Sequence, residues 1–407
     1  MEDATAKTFP LKALVIAPQP FFSPRGTPFS VYYRTLITAE LGVQVDLLTY
    51  GQGQDVDIPG VRLIRIPGFK FLGPVKVGPS GLKLFLDVIL VFWALGLLLR
   101  HRYDFVQVHE EAVFFSTYLK KIFGFKLVYD MHSSLPQQLT NFQFTNSRWL
   151  IGLFKKMEET SLKKAEAVIT ICPDLKDYVN RIISNPRKHF LIENSIFEEI
   201  RLGPDRSTAG DPGAGEELKP IPEGRAAVVY AGTLESYQGI DLLIEAFALV
   251  VREERRAYLV IVGGTAEQVA RYRTLTGERG IENDSLFTGR VSQKMAKAYT
   301  GLAQVLVSPR NRGTNTPLKV YEHLQSGIPL VATEIYSHTQ VLTPEVAFLA
   351  KPEPLPFAQA ILAALRDDQP CREKTARARE LYAAQYARPV YKDKIRQVLE
   401  YLRSCAA

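Results

Sequence analysis

The alternation of short apolar runs with longer helical patterns is the feature that most restricts how this 407-residue chain can fold. Thirteen runs have the length and composition of strands, and helical periodicity separates most of them. This order predicts parallel sheets covered by helices on both faces. Seven of the runs lie in the first half and six in the second: LKALVIAP, VQVDLLTY, VRLIRIP, DFVQVH, FKLVYDMH, AVITI and HFLIEN, then AAVVYAG, AYLVIVGG, SLFTGRV, QVLVSP, PLVAT and VAFLAK.

Residues 202–224 interrupt this alternation because they are rich in Gly, Pro and acidic residues. Such a composition is typical of an exposed, mobile loop or linker. A chain of this length has room for two domains of ordinary size. We therefore predict an N-terminal domain (1–195), a linker with a mobile loop (196–224), a C-terminal domain (225–385) and a last helix (386–407) that can cross back to the first domain.

The net charge of +7 is concentrated in the first half, where 23 lysines and arginines accompany 17 acidic residues through Ser195. This excess predicts an anionic partner, either membrane phospholipid or a phosphorylated acceptor. Nucleic acid is not expected, because no recognition motif accompanies the charge. The three cysteines are far apart and suggest neither a disulfide framework nor a metal site. The wide spacing of the cysteines and the lack of an apparent signal peptide together favour a cytoplasmic location.

Residues 82–102 are apolar almost all round their predicted helix, with Trp93 near the centre. The uninterrupted part, 88–99, is shorter than the roughly 20 residues that a spanning helix needs. Two interpretations stay open: a core helix of the first domain, or a helix lying in the membrane interface beside basic residues. Residues 141–158 form a second apolar and basic stretch around Trp149. The neighbouring basic residues are Lys70, Lys76, Lys83, Arg100 and Arg102.

The stretch 309–333, PRNRGTNTPLKVYEHLQSGIPLVAT, follows one strand and contains a polar loop, a helix and the next strand. This unit presents free N–H groups at a helix N-terminus, where anions bind. Pro317 suits the first helical turn because the missing N–H is not needed there. Basic residues in and near the loop add positive charge: Arg310, Arg312 and Lys319.

Several motifs in this order resemble the retaining glycosyltransferases of family 4. The resemblance covers nearly the whole chain. It implies the GT-B fold, an α/β class in which two doubly wound Rossmann-like domains face each other across a cleft. The motifs are APQPFFSPRGTPFSVYYRTLITAELGVQVDLLT, YDFVQVH, LVYDMH, LIENSIF, YAGTLESYQGIDLLIEAF, TGRVSQKMAKAYTGLAQVLVSP and PLKVYEHLQSGIPLVAT.

The resemblance assigns donor binding to the C-terminal domain. It implies that Glu322 accepts hydrogen bonds from both ribose hydroxyls, a task that suits a carboxylate. Three family residues are replaced here: a glutamate by Thr314, and the arginine and lysine of the diphosphate clamp by Thr233 and Gln238. We predict that other cations restore the clamp and that nearby backbone and loop groups complete the site. The donor-binding set is Gly26, Gly232, Thr233, Leu234, Arg310, Arg312, Thr314, Asn315, Thr316, Lys319 and Glu322.

The resemblance also assigns residues of the N-terminal domain. His132 matches the family histidine that contacts the transferred sugar, where a neutral imidazole can share hydrogen bonds. With Lys319 and Glu322 it forms the predicted catalytic set. Gly26 permits close approach of the backbone to a ligand at a helix start. The predicted acceptor-side residues are Arg25, Thr27, His109 and Asp130.

The implied reaction transfers a sugar from a nucleoside diphosphate, with UDP favoured, to an acceptor hydroxyl with retention. Front-face attack, in which the departing phosphate takes the acceptor proton, is the family expectation. Helix N–H groups and cations would stabilise the leaving diphosphate, so no metal or other cofactor is expected. Thr314 in place of glutamate is compatible with an acidic sugar such as glucuronic acid.

At this point the sequence leaves alternatives open for the acceptor and for the activity itself. The acceptor can be a lipid, a lipid-linked glycan or a soluble metabolite, with the first two favoured at the cytoplasmic face of a membrane. The missing clamp residues are compatible with a non-catalytic GT-B subunit that binds nucleotide or lipid. Epimerases and phosphorylases share the GT-B shape, but no motif of either is present.

Overall fold

The computed structural model contains two compact units, which we call unit 1 and unit 2. Unit 1 comprises residues 1–210 and 388–407, and unit 2 comprises residues 211–387. Arg25, Lys70, Lys76 and much of the predicted linker lie outside the described residues. The structure describes residues 10–23, 26–68, 73, 75, 80–136, 147–198, 200, 217–366 and 368–405.

Unit 1 is built on a parallel seven-stranded sheet with the order β3-β2-β1-β4-β5-β6-β7. All seven strands coincide with the apolar runs of the first half. The strands are β1 (Lys12–Ala17), β2 (Gln44–Thr49), β3 (Val61–Arg65), β4 (Phe105–His109), β5 (Lys126–Met131), β6 (Ala167–Thr170) and β7 (His189–Leu191). The helices are α1 (Gly26–Glu40), α2 (Gly81–Arg100), α3 (Ala112–Phe123), α4 (Arg148–Lys164), α5 (Pro173–Asn180) and the C-terminal α13 (Arg388–Ser404).

The order of the strands in unit 1 places its helices on two faces. A parallel crossover is right-handed, so α2, α3, α4 and α5 cover one face and α1 covers the other. The C-terminal α13 packs on the face of α1. Strands β1 and β4 are buried along nearly their whole length. This agrees with the continuous apolar character expected of parallel strands that are covered on both faces.

Helix α2 has one buried side, as expected of a core helix, and one side that is exposed. Leu86, Leu90 and Ala94 are buried in the core of unit 1, whereas Phe92 and Leu99 are 66% and 76% exposed. The polar side is tied to the unit, since Lys83 lies 2.8 Å from Glu111 and Asp87 accepts a hydrogen bond from the Tyr50 hydroxyl. Among the described helices, α2 alone is long and apolar enough by length and composition to cross a membrane.

Unit 2 is built on a parallel six-stranded sheet with the order β10-β9-β8-β11-β12-β13. These strands coincide with the six apolar runs of the second half. The strands are β8 (Ala226–Ala231), β9 (Ala257–Val262), β10 (Ser285–Gly289), β11 (Val305–Ser308), β12 (Leu330–Thr333) and β13 (Phe348–Ala350). The helices are α6 (Ile240–Glu253), α7 (Ala266–Glu278), α8 (Gln293–Gly301), α9 (Leu318–Ser326), α10 (Tyr336–Thr339), α11 (Pro354–Leu365) and α12 (Gln369–Gln385).

Both sheets are parallel and doubly wound, which confirms the predicted α/β class. In each unit, successive strands are added to the sheet in one direction and then in the other, and the reversal falls between two neighbouring strands. These are β1 and β4 in unit 1, and β8 and β11 in unit 2. Ligands in such sheets bind beyond the carboxyl ends of the strands at this switch point. The candidate functional residues are therefore sought after β4 and β5, and after β8 and β11.

Candidate functional site

The first group of candidate residues lies after the carboxyl ends of β8 and β11 in unit 2. Strand β8 ends at Ala231 and is followed by Gly232, while β11 is followed by the loop 309–317 and then by α9. Pro317 caps α9, one residue before the position predicted for it, and Leu318 is the first helical residue. The N-terminus of α9 therefore lies at the switch point, with its free N–H groups available to an anion.

Lys319 is held at this N-terminus by an aromatic ring and a glycine. Its ammonium lies 3.8 Å from the centroid of the Tyr230 ring and 3.5 Å from the carbonyl oxygen of Ala231. A Cβ on Gly232 would lie 3.2 Å from Nζ of Lys319 and 3.0 Å from the Tyr230 hydroxyl. Glycine thus leaves room for the lysine side chain beneath this turn.

The environment of Lys319 disfavours its own charge. Burial and, to a smaller extent, the charge of Arg310 lower the pKa of Lys319 to about 7, against the opposing effect of Glu322. The described groups around the ammonium thus do not compensate fully for its loss of water. A bound diphosphate would supply the missing negative charge and hold the lysine protonated.

Glu322 lies one helical turn beyond Lys319 and is exposed. The protein around it still displaces enough water to raise the pKa of its carboxyl to about 7, against the opposing effect of Lys297 and Lys319. An exposed carboxyl at the start of α9 can accept hydrogen bonds from a pair of hydroxyls. The structure thus places Lys319 and Glu322 on the same short helix, beside the turn after β8.

Arg310 organises the loop 309–317 in this structure. Its Nε donates to the Arg312 carbonyl at 2.6 Å and its Nη1 donates to the Asn315 carbonyl at 3.1 Å. The guanidinium carbon lies 5.2 Å from the centroid of the Tyr237 ring. A Cβ on Gly313, where φ is +121°, would lie 2.2 Å from Nη2 of Arg310. Two of the donors of Arg310 are therefore engaged with loop carbonyls, which leaves fewer for a phosphate than its charge alone suggests.

The buried residue His338 contacts the ends of the two strands that flank the same loop and α9. His338 Nε2 lies 2.9 Å from the Ser308 hydroxyl, and Nδ1 lies 3.1 Å from the Thr333 hydroxyl. Thr333 in turn donates to the Arg310 carbonyl. Burial lowers the pKa of His338 to about 4, so the imidazole is neutral at neutral pH and can both donate and accept. These contacts tie the ends of β11 and β12 to the start of the loop.

The other predicted donor residues of unit 2 lie around this turn and loop. Leu234 is buried, so only its backbone can serve a ligand, whereas Gly232 and Thr233 are exposed. The Thr233 carbonyl accepts a hydrogen bond from Tyr230 at 2.6 Å. Thr316 has a buried hydroxyl oxygen with no hydrogen-bond partner among the described residues. Arg312 and Thr314 are exposed in the loop and Asn315 is half-buried.

The predicted residues at the start of α1 are placed only in part. Gly26 is the first residue of α1 and is exposed, while Thr27 is half-buried. A Cβ on Gly26 would have no atom within 4 Å, so packing inside unit 1 does not require glycine there. Their assigned ligand contacts stay predictions.

The second group of candidate residues is a buried polar network at the ends of β4 and β5. His109 Nδ1 lies 3.0 Å from His132 Nε2, and that His132 nitrogen lies 3.5 Å from a carboxylate oxygen of Asp130. Asp130 accepts a hydrogen bond from Gln107 at 2.9 Å and lies 3.1 Å from Nε of Arg34. The side chains of Asp130 and His132 therefore lie close together at this edge of the sheet.

The protonation states in this network follow from burial and from one internal ion pair. Burial lowers the pKa of His109 to about 3 and that of His132 to about 4, against the opposing field of Asp130. Burial alone would raise the pKa of Asp130, but Arg34 and the two histidines hold it below its usual value. Both imidazoles are thus neutral beside an ionised carboxylate at neutral pH.

His109, Asp130 and His132 could each offer one ligand atom to a metal, since these atoms lie within 4.8 Å of one another. The set fits a divalent cation poorly, because the guanidinium of Arg34 already neutralises the carboxylate. A second possible metal motif is Asp55-Val56-Asp57, between β2 and β3. Asp55 there lies 3.6 Å from Arg65, which again supplies the balancing charge.

Three residues of these sites were missed by the sequence analysis. Arg34 stands alone in the apolar run VYYRTLIT, and a single charge in such a run is the signal that could have identified it as a buried ion-pair partner. Tyr230 and His338 carried no signal of their own. Their roles depend on which side chains the fold brings over them.

Comparison with known proteins agrees with this geometry. The family described as "Glycosyl transferases group 1" matches residues 216–381, and the "Glycosyl transferase 4-like domain" matches residues 37–195. The alpha-D-kanosaminyltransferase of Streptomyces kanamyceticus is 26% identical over 288 residues, which are 68% of this chain and 70% of that protein.

Two solved structures have the same fold. Sucrose-phosphate synthase from Thermosynechococcus elongatus has a TM-score of 0.73 at 19% identity, covering 97% of this chain and 100% of that chain. Alr3699/HepE of Anabaena in complex with UDP has a TM-score of 0.69 at 14% identity, again covering 97% and 100%. The two family matches together span most of the sequence, in the order that the resemblance predicted. The chain is a glycosyltransferase of family 4 with the GT-B fold.

Proposed function

We propose that this enzyme transfers a sugar from a UDP-sugar, with retention at the anomeric carbon, to a hydroxyl of a lipid or lipid-linked glycan at a membrane surface. The observation that carries the donor half is Lys319, held over Tyr230 beside Gly232 at the N-terminus of α9. A half-buried ammonium next to free helix N–H groups is suited to a diphosphate.

The donor diphosphate is assigned to Lys319 and to the backbone of Gly232 and Thr233. The clamp residues usual in the family are absent, and Arg310 is partly engaged in the loop, so Lys319 carries the largest share of the charge. As the bond from the anomeric carbon to the phosphate oxygen breaks, the leaving diphosphate gains negative charge. Lys319 and the α9 N–H groups stabilise that charge, which removes the need for a metal ion.

The nucleoside is assigned to Glu322, whose carboxylate accepts from the two ribose hydroxyls. Uridine is favoured over other nucleosides because HepE of Anabaena, which has the same fold, was solved with UDP and with UDP-glucose. Thr314 leaves the sugar side of the loop without the family's second carboxylate, so an acidic sugar such as glucuronic acid belongs among the candidates.

The sugar-side role is assigned to His132, as the family resemblance implies. A neutral imidazole can donate to or accept from a sugar hydroxyl without adding charge near the reacting carbon. We propose front-face attack: the acceptor oxygen bonds to the anomeric carbon from the side that the diphosphate leaves. The acceptor proton passes to the departing phosphate oxygen, so no separate nucleophile on the enzyme is needed.

The membrane half of the proposal is carried by the exposed side chains of three adjacent helices. Phe92 and Leu99 of α2, Ile122 of α3 and Trp149 of α4 are each at least 66% exposed. Large apolar residues grouped on one face are uncommon on a monomeric soluble protein. Exposed basic residues lie on or beside the same helices, which favours an anionic bilayer: Arg100, Arg102, Lys121, Lys155 and Lys156.

A panel of nucleotide sugars tests the donor half directly. The purified enzyme is incubated with UDP-, GDP- and ADP-sugars, including UDP-glucuronic acid, with and without a chelator, in the presence of anionic vesicles carrying extracted lipid acceptors. We expect release of UDP above the no-enzyme rate, and a product with the donor's anomeric configuration by NMR. Release only of another nucleotide, an inverted product, or activity that a chelator abolishes would each contradict the corresponding part of the proposal.

A further inference from the structure

Arg34 is a fully buried charge whose partners all belong to unit 1. Its side chain is 1% exposed, although it lies in the middle of the apolar helix α1. Its Nε lies 3.1 Å from Asp130, and its Nη2 donates to the carbonyl oxygen of Ile192 at 3.3 Å. A buried guanidinium needs such partners, because an unpaired charge in the interior is costly.

The carboxylate that Arg34 holds is the same one that faces the histidine pair. One oxygen of Asp130 lies near Arg34 and Gln107, and the other lies 3.5 Å from Nε2 of His132. The oxygen near His132 makes no hydrogen bond among the described residues, so it acts on the ring through its charge and the space that it occupies. The position of Arg34 therefore fixes where the carboxylate lies, and the carboxylate borders Nε2 of His132 on one side.

The other face of Arg34 is covered by the C-terminal helix. The guanidinium carbon lies 5.5 Å from the centroid of the Tyr391 ring on α13, and Tyr391 is 3% exposed. The Tyr391 ring also packs edge-on against Phe197, with 5.2 Å between centroids. An aromatic face over a buried guanidinium both attracts it and restricts its rotamers.

Ion pairs hold α13 in this position. Arg388 and Lys392 pair with Glu40 at the end of α1, and Lys394 lies 2.6 Å from Glu193. Tyr391 lies between these pairs along the same helix. The contacts continue from the C-terminal helix through Tyr391, Arg34 and Asp130 to His132.

We propose that Tyr391 and Arg34 are positioning residues for His132, so that the C-terminal helix α13 sets the geometry of the sugar-side histidine. This inference rests on the proposed role of His132. Tyr391 and Arg34 act through Asp130 and need not touch substrate. Loss of the aromatic face should let Arg34 change rotamer, release one side of Asp130, and misalign His132 by a fraction of an ångström.

Three variants test the inference by steady-state kinetics and by the free energy of unfolding in denaturant. Tyr391→Leu removes the aromatic face at similar size, and we expect kcat to fall about tenfold with the donor KM within about twofold. Tyr391→Phe keeps the face and should match wild type. Tyr401→Leu is the matched control: it lies on the same helix and packs against Phe190 at 5.6 Å, away from Arg34. It should leave kcat unchanged.

A double-mutant cycle with His132→Ala decides whether the effect passes through the histidine. In that background Tyr391→Leu should cause no further loss of kcat, because its only route to the reaction is gone. Additive losses, or an equal loss in Tyr401→Leu, would overturn the inference. A wild-type kcat in His132→Ala would instead contradict the proposed role of the histidine.

Arg34→Lys gives an independent route if Tyr391→Leu does not fold. It keeps the charge but loses the planar fork that contacts Asp130 and the Ile192 carbonyl together. We expect the same pattern: kcat about tenfold lower, an unchanged donor KM and no additional effect beside His132→Ala. Unchanged kcat in a folded Arg34→Lys would overturn the inference.

Discussion

The ammonium of Lys319 lies 3.8 Å from the centre of the Tyr230 ring, although the two residues are 89 positions apart in sequence. The parallel order of β8 and β11 brings them together, since Tyr230 is near the end of β8 and Lys319 begins the helix that follows β11. Electron density on the ring face stabilises a cation where little water is available. Tyr230 thus supports the cation that we propose in place of the clamp residues replaced by Thr233 and Gln238.

Lys319→Ala should weaken diphosphate binding selectively. A charge-assisted contact is worth about 1.5–3 kcal/mol, so kcat/KM for the donor should fall about 10- to 100-fold. UDP should lose affinity by a similar factor, whereas uridine, which has no phosphate, should not. Isothermal titration with both ligands measures this difference. Equal losses for UDP and uridine would show that the lysine serves the structure of the loop.

Donor binding should be strongest near neutral pH, because Lys319 must be protonated and Glu322 must be deprotonated to bind the donor. Lys319, with its pKa lowered to about 7, loses its charge as the pH rises above 7. Glu322, with its pKa raised to about 7, loses its negative charge as the pH falls below 7. Affinity for UDP-glucose should therefore fall on both sides, by up to about tenfold per pH unit.

UDP-glucose is the appropriate probe because its diphosphate is a diester whose charge is constant over this range. Glu322→Gln should remove the acid limb of the profile and leave the alkaline limb, and Lys319→Ala should do the reverse. Glu322→Ala should raise the donor KM, lower turnover and change the free energy of unfolding by no more than about 0.5 kcal/mol, since the residue is exposed. A Glu322→Ala enzyme with wild-type transfer at subsaturating donor would show that the carboxylate does not contact the ribose.

The strands and the α/β class could be predicted because each buried parallel strand leaves its own apolar run in the sequence. The same is true of the loop before α9, where Gly, Pro and basic residues are local signals. The Arg34–Tyr391 contact could not be predicted in this way, because 357 positions separate its members and neither residue has a periodic pattern. Only the packing of α13 against α1 creates it.

Two features show what the sequence leaves undetermined. The positive charge of Arg310 favours a phosphate contact, which stays a prediction, but the sequence does not show that two N–H donors of this guanidinium bond to loop carbonyls. Helix α2 left two interpretations open because it is apolar all round. Such a sequence does not specify which side packs inward, and the fold buries Leu90 while leaving Phe92 exposed.

Unit 1 should lose stability as the pH falls below about 6.5. His109 and His132 have their pKa values lowered to about 3 and about 4, so the unfolded chain binds protons in this range that the folded chain does not. Stability therefore decreases from the usual histidine pKa of about 6.5 down to about 4. The pKa of Asp130 is also lowered, so its contribution is lost only at still lower pH.

Urea unfolding between pH 4 and 8 measures this loss. Replacing both histidines, as His109→Gln with His132→Gln, should reduce the dependence of the free energy of unfolding on pH between 4 and 6.5, and His189, whose pKa burial also lowers to about 4, accounts for part of the slope that remains. Above pH 7 the slope should be the same as in wild type. If wild type and variant have the same slope throughout, the buried histidines do not account for the acid sensitivity.

The exposed apolar side of α2 should be needed for membrane binding and not for folding. Phe92, Trp93 and Leu99 are 66%, 40% and 76% exposed, so changing all three to serine should leave the free energy of unfolding nearly unchanged. Sedimentation with vesicles that contain phosphatidylglycerol should show binding by wild type and loss of binding by this variant. Phosphatidylcholine vesicles should bind wild type less, because each basic residue near an anionic surface contributes roughly 1 kcal/mol.

Added salt should weaken this binding without abolishing it, since salt screens the charges but not the apolar burial. The matched control replaces Leu302, Tyr336 and Leu355 of unit 2, which are 42%, 52% and 57% exposed, with serine. That variant removes a similar amount of exposed apolar surface and should bind vesicles like wild type. Equal loss in both variants would mean that binding depends on general surface hydrophobicity. Unfolding of the α2 variant would show that its exposed side contributes to the core, and a soluble acceptor would then be favoured over a lipid.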